Sequence, residues 1–263
     1  MLVFVKPHFL SKEYFLVIRL TVVALIFVLA GCSPKLMEPR DIKDYDGNYI
    51  DTFTFDDLAS DVRTEVEEKV NTDSNFSGKV TYTVKHFKKD VLDWEGEEIK
   101  KFIPDSNGLH RIETKQYINE FLSLTTFEVS YLGLAQLDVQ SYKPGYRFFR
   151  SDYHIAELNL IETDPEIGLH YKMELGRRSQ ISDFWKREVQ CKPKSDKYPA
   201  SNLHEKLAGD AIDFRCTLRS DDQELLGDEL VSYIIGSKFF ITKNNRNTSG
   251  SYVYEIKSID GPE

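Results

Sequence analysis

The sequence contains little cysteine, methionine or tryptophan: three, three and two residues among 263. It also lacks a surplus of positive charge, since 34 basic residues face 43 acidic ones and the formal net charge is -9. Proteins that bind nucleic acid draw much of their affinity from cations that neutralise phosphates. We therefore expect no nucleic-acid partner. The chain is 41% hydrophobic and 13% aromatic, which is too apolar for a wholly disordered protein.

Familiar catalytic motifs are also missing from the sequence. It has no Gly-x-Ser-x-Gly, no Ser-x-x-Lys with its partner motifs, no phosphate-binding loop and no dinucleotide fingerprint. The acidic pairs Asp164/Glu166 and Asp221/Asp222 lie in turn-forming contexts. We therefore predict no catalytic residues, no cofactor and a protein that is not an enzyme.

Zinc peptidases need paired histidines at helical spacing, and that spacing is absent here. His154 and His170 could meet only if their strands pair, and His170 alternates with apolar residues, as a side chain in water would. No metal site is expected. The histidines considered are His86, His110, His154, His170 and His204.

An export signal is indicated at the amino terminus. A segment ending at Arg19 is followed by an apolar run from Leu20 to Ala30, which has the length of a signal-peptide core and is too short for a stable transmembrane helix. The run ends in Leu29-Ala30-Gly31-Cys32, which resembles the lipobox of bacterial lipoproteins at all four positions.

This resemblance implies that residues 1–31 are removed and that the Cys32 thiol carries a diacylglycerol, often with a further palmitate-type chain on the new amino terminus. Two acyl chains give stable anchoring, so the expected partner is a membrane, contacted through Cys32. Ser33 stands where Asp would retain a lipoprotein in the inner membrane. The resemblance therefore implies the periplasmic face of the outer membrane, or the outer face of the membrane in a Gram-positive host.

Three segments are predicted along the chain. Residues 1–31 are the signal peptide, 32–52 a lipidated terminus and polar tether, and 53–263 a single mainly-β globular domain. The domain opens with an apolar residue at every fourth position, which predicts an amphipathic helix with Asp56 or Asp57 as its N-cap. The stripe consists of Leu58, Val62, Val66 and Val70.

Beyond Gly78 the apolar period falls to two, which is typical of strands with one wet face. Two short helices are predicted at 97–102 and around 117–122, a type II turn at Lys143-Pro144-Gly145-Tyr146, and a final hairpin of 238–243 and 251–257 with a loop at 244–250. About ten antiparallel strands with one to three short helices favour an antiparallel sandwich or a curved half-barrel, with a closed barrel also considered.

Cys191 and Cys216 each lie on the apolar face of a predicted strand. In an oxidising compartment two inward thiols can meet across neighbouring strands or across the core. We predict a disulfide between them. A redox-active pair is disfavoured because no Cys-x-x-Cys spacing is present.

One hairpin is crowded with aromatic and basic residues, which gives two interpretations. The rings and cations can form a binding surface for a glycan, a lipid head group or a protein. Alternatively, alternate rings fill the core while the arginines cover the sheet edge, which we favour. The candidate surface consists of Tyr142, Tyr146, Arg147, Phe149 and Arg150.

These features favour a membrane-anchored periplasmic lipoprotein that acts by binding a protein or an envelope component. Two alternatives stay open: an envelope hydrolase with a dispersed active site, which a polar cleft with shifted carboxyl pKa values would favour, and a carrier of acyl chains or lipoproteins. For the carrier we expect an apolar cavity of roughly several hundred Å³, open at one end.

Overall fold

The computed structural model describes residues 54–70, 76–144, 149–177, 180 and 182–261, without the side chains of residues 149–152. Cys32, the tether and Tyr146 and Arg147 of the candidate surface lie outside the described residues. So does part of the turn predicted at 143–146. Among the residues described, no helix is long and apolar enough to cross a membrane.

The described chain forms one helix and thirteen strands, with short 3-10 turns at Phe55–Asp57 and Ala200–Asn202. The helix is α1 (Ser60–Lys69). The strands are β1 (Gly78–Lys88), β2 (Val91–Pro104), β3 (Leu109–Ile118), β4 (Phe121–Tyr131), β5 (Ala135–Tyr142), β6 (Phe149–Glu162), β7 (Leu169–Arg177), β8 (Trp185–Pro193), β9 (Tyr198–Pro199), β10 (Asp210–Ser220), β11 (Leu225–Ile234), β12 (Phe239–Asn247) and β13 (Gly250–Asp260).

The strands close into an antiparallel barrel. Neighbours in the sheet follow the order β11, β12, β13, β1 to β8 and β10, and a further pairing of β10 with β11 joins the two ends of this row. Twelve of the described strands thus form the ring, while the two-residue β9 adds only to β10. The predicted sandwich or half-barrel is therefore wrong. Closure rests on pairings between distant segments, such as β13 with β1, which alternation along one strand does not reveal.

The two short helices predicted at 97–102 and 117–122 are also wrong. Residues 97–102 lie within β2, and 117–122 span the tight turn between β3 and β4. Asn119 and Glu120 form that turn with φ of 50° and 67°, as a two-residue hairpin turn requires. In the sequence, two apolar residues on each side of such a turn have the same spacing as the apolar face of a helix.

The predicted amphipathic helix is present as α1, and Val62 and Val66 of its apolar stripe are fully buried. Its start differs from the prediction. The helix begins at Ser60, while Asp57 belongs to the preceding 3-10 turn, where its carboxylate accepts a hydrogen bond from the Thr54 amide at 2.8 Å. The acidic side chain thus caps the short turn instead of the helix.

The final hairpin is present, but the predicted loop at 244–250 is much shorter. β12 continues to Asn247 and β13 begins at Gly250, so that only two residues connect the strands. The polar residues Asn244 to Asn247 pair with Gly250 to Val253 of β13. Backbone pairing therefore overrides the turn-like composition of this stretch.

Alternate connections lie at opposite ends of the barrel, because all of its strands are antiparallel. We call the end with the β1–β2, β3–β4, β5–β6, β7–β8, β10–β11 and β12–β13 connections the upper end. The lower end is filled by a hydrophobic cluster in which Phe76 stacks on Phe239 with ring centroids 3.9 Å apart and meets Phe102 edge-on. The interior is thus packed around this cluster.

Candidate ligand cavity

A cavity of about 560 Å³ is lined by residues of β4 to β8, of β10 to β12 and of the β4–β5 connection. It extends to the β10–β11 and β12–β13 connections, because Leu226 and Asn247 are among the residues that line it. About half of the lining side chains are apolar or aromatic, and these come mainly from β5, β6, β7, β8, β10 and β11. The apolar wall includes Val139, Ile155, Tyr171, Met173, Leu175, Val189 and Leu218.

The disulfide predicted between Cys191 and Cys216 is confirmed, and Cys216 forms part of the cavity wall. The two residues are direct partners on the neighbouring strands β8 and β10. Of the two arrangements that the sequence left open, the structure shows the cross-strand one. The bridge therefore holds together two strands of the cavity wall.

Ionisable side chains stand deep in the barrel, beside the cavity. Glu229 lines the cavity and accepts a hydrogen bond from the Thr242 hydroxyl at 2.9 Å. Glu98 lies 3.5 Å from the Lys100 ammonium. Glu128 accepts a hydrogen bond from the Gln136 amide. The interior thus combines apolar walls with a group of three carboxyls and one ammonium, which we call the charged floor: Glu98, Lys100, Glu128 and Glu229.

Burial shifts the pKa values of two carboxyls of the charged floor. It raises the pKa of Glu128 to about 7, against the opposing effects of Lys100 and of the Gln136 hydrogen bond. Burial also raises the pKa of Glu229, although Thr242 and Lys100 act in the other direction. For Lys100 burial alone would lower the pKa, but the carboxylate of Glu98, with further help from Tyr82, raises it. Lys100 thus stays charged, while Glu128 changes charge near neutral pH.

The cavity mouth carries polar and basic groups. Arg187, Arg246 and Asn247 line this region, together with Asp228. Asp228 also accepts a hydrogen bond from the Arg215 guanidinium at 2.9 Å. Arginines at the mouth suit a ligand whose polar or anionic end remains near water while its apolar end lies inside.

The predicted binding surface is only partly described. Tyr142 ends β5 at the upper end, and Phe149 and Arg150 begin β6, without described side chains. Whether these groups form one surface stays a prediction.

The histidines do not converge on one another. His154 pairs with Gly176 and His170 with Glu162 in the β6–β7 register, and the His170 imidazole hydrogen-bonds to Glu188 at 2.7 Å. Within the described ranges, no group of three or more His, Cys, Asp or Glu side chains is placed to hold a metal ion.

Sequence reasoning missed the charged floor. It placed Glu98 and Lys100 in a short helix at 97–102, and Glu128 lies between Phe127 and Val129, which it placed on the apolar face of a strand. One signal was available. Glu98 and Lys100, of opposite charge, occupy the same face of β2 as the aromatic Phe102. Opposite charges two residues apart, in line with a core aromatic, indicate a buried ion pair.

Comparisons with known proteins add little. No family model matches the chain, and no curated protein matches it. Among solved structures it is similar to a DUF1329 family protein from Desulfovibrio piger, with a TM-score of 0.37 and 11% identity over 76% of this chain and 93% of that chain. A likeness at this level carries no conclusion about function.

Proposed function

We propose that this protein is a lipid-anchored protein of the cell envelope whose barrel binds the acyl part of an amphipathic molecule. The supporting observation is the cavity of about 560 Å³ in the closed barrel, one side of which is the apolar wall. Binding sites for small molecules and cofactors are typically concave, mostly apolar and about 300–1,000 Å³ in volume. Of the three functions that the sequence left open, the carrier function is the one that such a cavity favours.

The apolar wall provides the affinity in this proposal. Each methylene that leaves water contributes about 0.8 kcal/mol. An acyl chain enters past Arg187 and Arg246 and leaves its head group beside them. The charged floor limits how far an apolar chain descends, because an apolar chain offers buried charges no hydrogen-bond partner.

Filling the cavity tests this proposal. We expect wild-type protein to bind the apolar dye N-phenylnaphthylamine and to release it when a long-chain fatty acid is added. Leu218→Trp adds an indole inside the cavity and weakens dye binding by about tenfold or more. Ile161→Trp is the matched control, since Ile161 is 50% exposed and does not line the cavity. Wild-type protein without saturable dye binding, or equal loss in both variants, would contradict the proposal.

The anchor is tested separately from the cavity. Mass spectrometry of the protein purified from its own membranes is expected to find a mature chain that begins at an acylated Cys32. Cys32→Ala is expected to move the protein from the membrane fraction to the soluble fraction, with dye binding unchanged. An unmodified Cys32 in the native protein would remove the anchor from the proposal but not the cavity.

A second candidate function is hydrolysis of the bound molecule. The supporting observation is Glu229, a carboxyl with a raised pKa on the cavity wall, because a protonated carboxyl can act as a general acid. The test incubates the protein with phospholipid vesicles and analyses the products. Cleavage by wild type but not by Glu229→Gln would support the enzyme, whereas intact lipid with both proteins would exclude this activity.

A further inference from the structure

Exposed apolar side chains are concentrated at the upper end of the barrel. Of the eight large hydrophobic side chains that are exposed among the described residues, five stand at the hairpin connections of this end. They are Val91 (68% exposed), Leu92 (50%), Phe121 (78%), Trp185 (39%) and Leu225 (51%), which we call the apolar rim.

The apolar rim is spread around the barrel instead of forming one patch. Its side chains come from the β1–β2, β3–β4, β7–β8 and β10–β11 connections, and the cavity reaches the same end. A protein partner seats on a continuous apolar core with a polar border. Separate apolar tips around an opening suit a fluid surface, into which each side chain can sink by itself.

We propose that the apolar rim docks the open end of the barrel on the surface of a lipid bilayer. This inference deepens the proposed function, because an acyl chain could then pass between bilayer and cavity without crossing water. Shallow insertion of Leu, Phe and Trp side chains is the usual way in which proteins hold to the interfacial region of a membrane.

Charges near the rim define the kind of lipid surface. Lys89 and Asp90 share the β1–β2 turn, Glu120 precedes Phe121, and Lys186 follows Trp185. Three acidic residues, Asp221, Asp222 and Glu224, precede Leu225. Since both signs stand beside the tips, attraction to anionic head groups is weak, and apolar insertion carries the binding. Docking is therefore expected on zwitterionic phosphatidylcholine vesicles and is expected to persist at high salt.

The proposed anchor permits this orientation. Residue 54 is the first described residue, and 22 residue steps separate it from Cys32. At full extension these steps span about 75 Å. A strand of 11 residues such as β1 is about 36 Å long. The anchored end of the chain can therefore reach a bilayer that contacts the upper end of the barrel.

The test is co-sedimentation with phosphatidylcholine vesicles of a chain of residues 32–263 with Cys32→Ser, which has no acyl anchor of its own. We expect Leu92→Ser/Phe121→Ser to bind at least about tenfold more weakly, since two of the apolar side chains that leave water on docking are removed. The control is Ile161→Ser/Ile167→Ser, which removes two side chains that are 50% and 63% exposed near the β6–β7 connection, at the lower end. Its binding should equal that of the parent chain.

Tryptophan fluorescence gives a second readout. In a Trp94→Phe chain, Trp185 is the remaining tryptophan. Brominated phosphatidylcholine should quench its emission, whereas vesicles of unbrominated lipid should not. Equal sedimentation of both double variants, binding only to anionic vesicles at low salt, or no quenching would overturn the proposal. Dye binding by Leu92→Ser/Phe121→Ser in the absence of vesicles separates this outcome from failure of the cavity proposal.

Discussion

Buried ionisable residues create a pH dependence that surface residues would not. Glu128 is 6% exposed and has its pKa raised to about 7 by burial. His110 is fully buried, and burial lowers its pKa to about 4, although a hydrogen bond with the Phe76 backbone opposes this shift. The two groups act in opposite directions on stability between about pH 4.5 and 6.5. The two effects therefore partly cancel in the pH profile of wild-type stability, and that profile alone reveals neither of them.

Glu128→Gln isolates one contribution. Because the pKa of folded Glu128 lies above 4.5, its ordinary value, the folded state holds the extra proton up to about pH 7. The free energy of unfolding therefore falls by up to about 3 kcal/mol as the pH rises from about 4.5 to about 7, and it falls no further above that range. Relative to wild type, Glu128→Gln should thus be more stable at pH 8 than at pH 5.

Urea unfolding of wild type and variant at both pH values measures this difference. Glu68→Gln, on the exposed face of α1, is the control. It should change the free energy of unfolding by the same amount at pH 5 and at pH 8. If Glu128→Gln behaves like the control, the carboxyl of Glu128 is not titrating in the window assigned to it.

At the scale of elements, α1 covers the part of β6 that does not pair with β5. The β5–β6 register ends at the pair Asp138 and His154, so that β6 continues past the last residue paired with β5. There the Leu160 amide donates to the Glu65 carboxylate at 2.6 Å, and the Leu160 carbonyl accepts from Lys69 at 2.8 Å. Helix side chains thus take the place of a neighbouring strand.

Glu65→Ala should destabilise the protein by about 1–3 kcal/mol, because it leaves the Leu160 amide without its acceptor at a half-buried site. Chemical denaturation measures the loss. Glu67→Ala, on the exposed face of the same helix, should change stability by less than about 0.5 kcal/mol. Equal effects of the two substitutions would show that helix propensity, and not the contact with β6, explains the loss.

The disulfide joins β8 to β10 and closes a loop with a sequence separation of 25. By the chain-entropy relation such a loop stabilises the folded state by roughly 3.5 kcal/mol. The double variant Cys191→Ala/Cys216→Ala should lose about that amount in urea unfolding. Reduction of wild type should reproduce the loss, while the double variant should not respond to reductant. A response of the double variant, or a wild type that reductant leaves unchanged, would contradict this assignment.

At the scale of the whole molecule, strand number and closure explain why a cavity exists. Barrels of about eight strands have interiors that side chains just fill, and wider ones leave space. Twelve of the described strands form this ring. The hydrophobic cluster around Phe76 fills one part of the interior, and the cavity of about 560 Å³ occupies another part.

Ligand binding should stabilise the whole barrel. An acyl ligand at about 100 times its dissociation constant should raise the free energy of unfolding by about 2.7 kcal/mol, since only the folded state has the cavity. Thermal unfolding with and without fatty acid measures this shift. Leu218→Trp should lose the shift and Ile161→Trp should retain it. A shift that survives in Leu218→Trp would place the ligand outside the cavity.

Sequence patterns predicted those features that depend on neighbours along the chain. The stripe of Val62 and Val66 predicted α1, and the apolar faces that carry Cys191 and Cys216 predicted the disulfide. The same reasoning failed at 117–122, because helical spacing and a tight hairpin place apolar residues at the same positions. It also placed Lys100 in a helix and left Glu128 off the apolar face of its strand, since alternation shows that two faces differ but not which of them meets water.

Alternation and helical stripes are properties of short segments, so local chemistry is enough to give a strand-rich chain with one amphipathic helix and two inward thiols. Closure of the ring, the unfilled volume inside it and the burial of Glu128 and Glu229 arise from contacts between residues far apart in the chain. Such contacts form when β13 returns to β1. No segment contains both partners, and the cavity therefore exists only in the folded barrel.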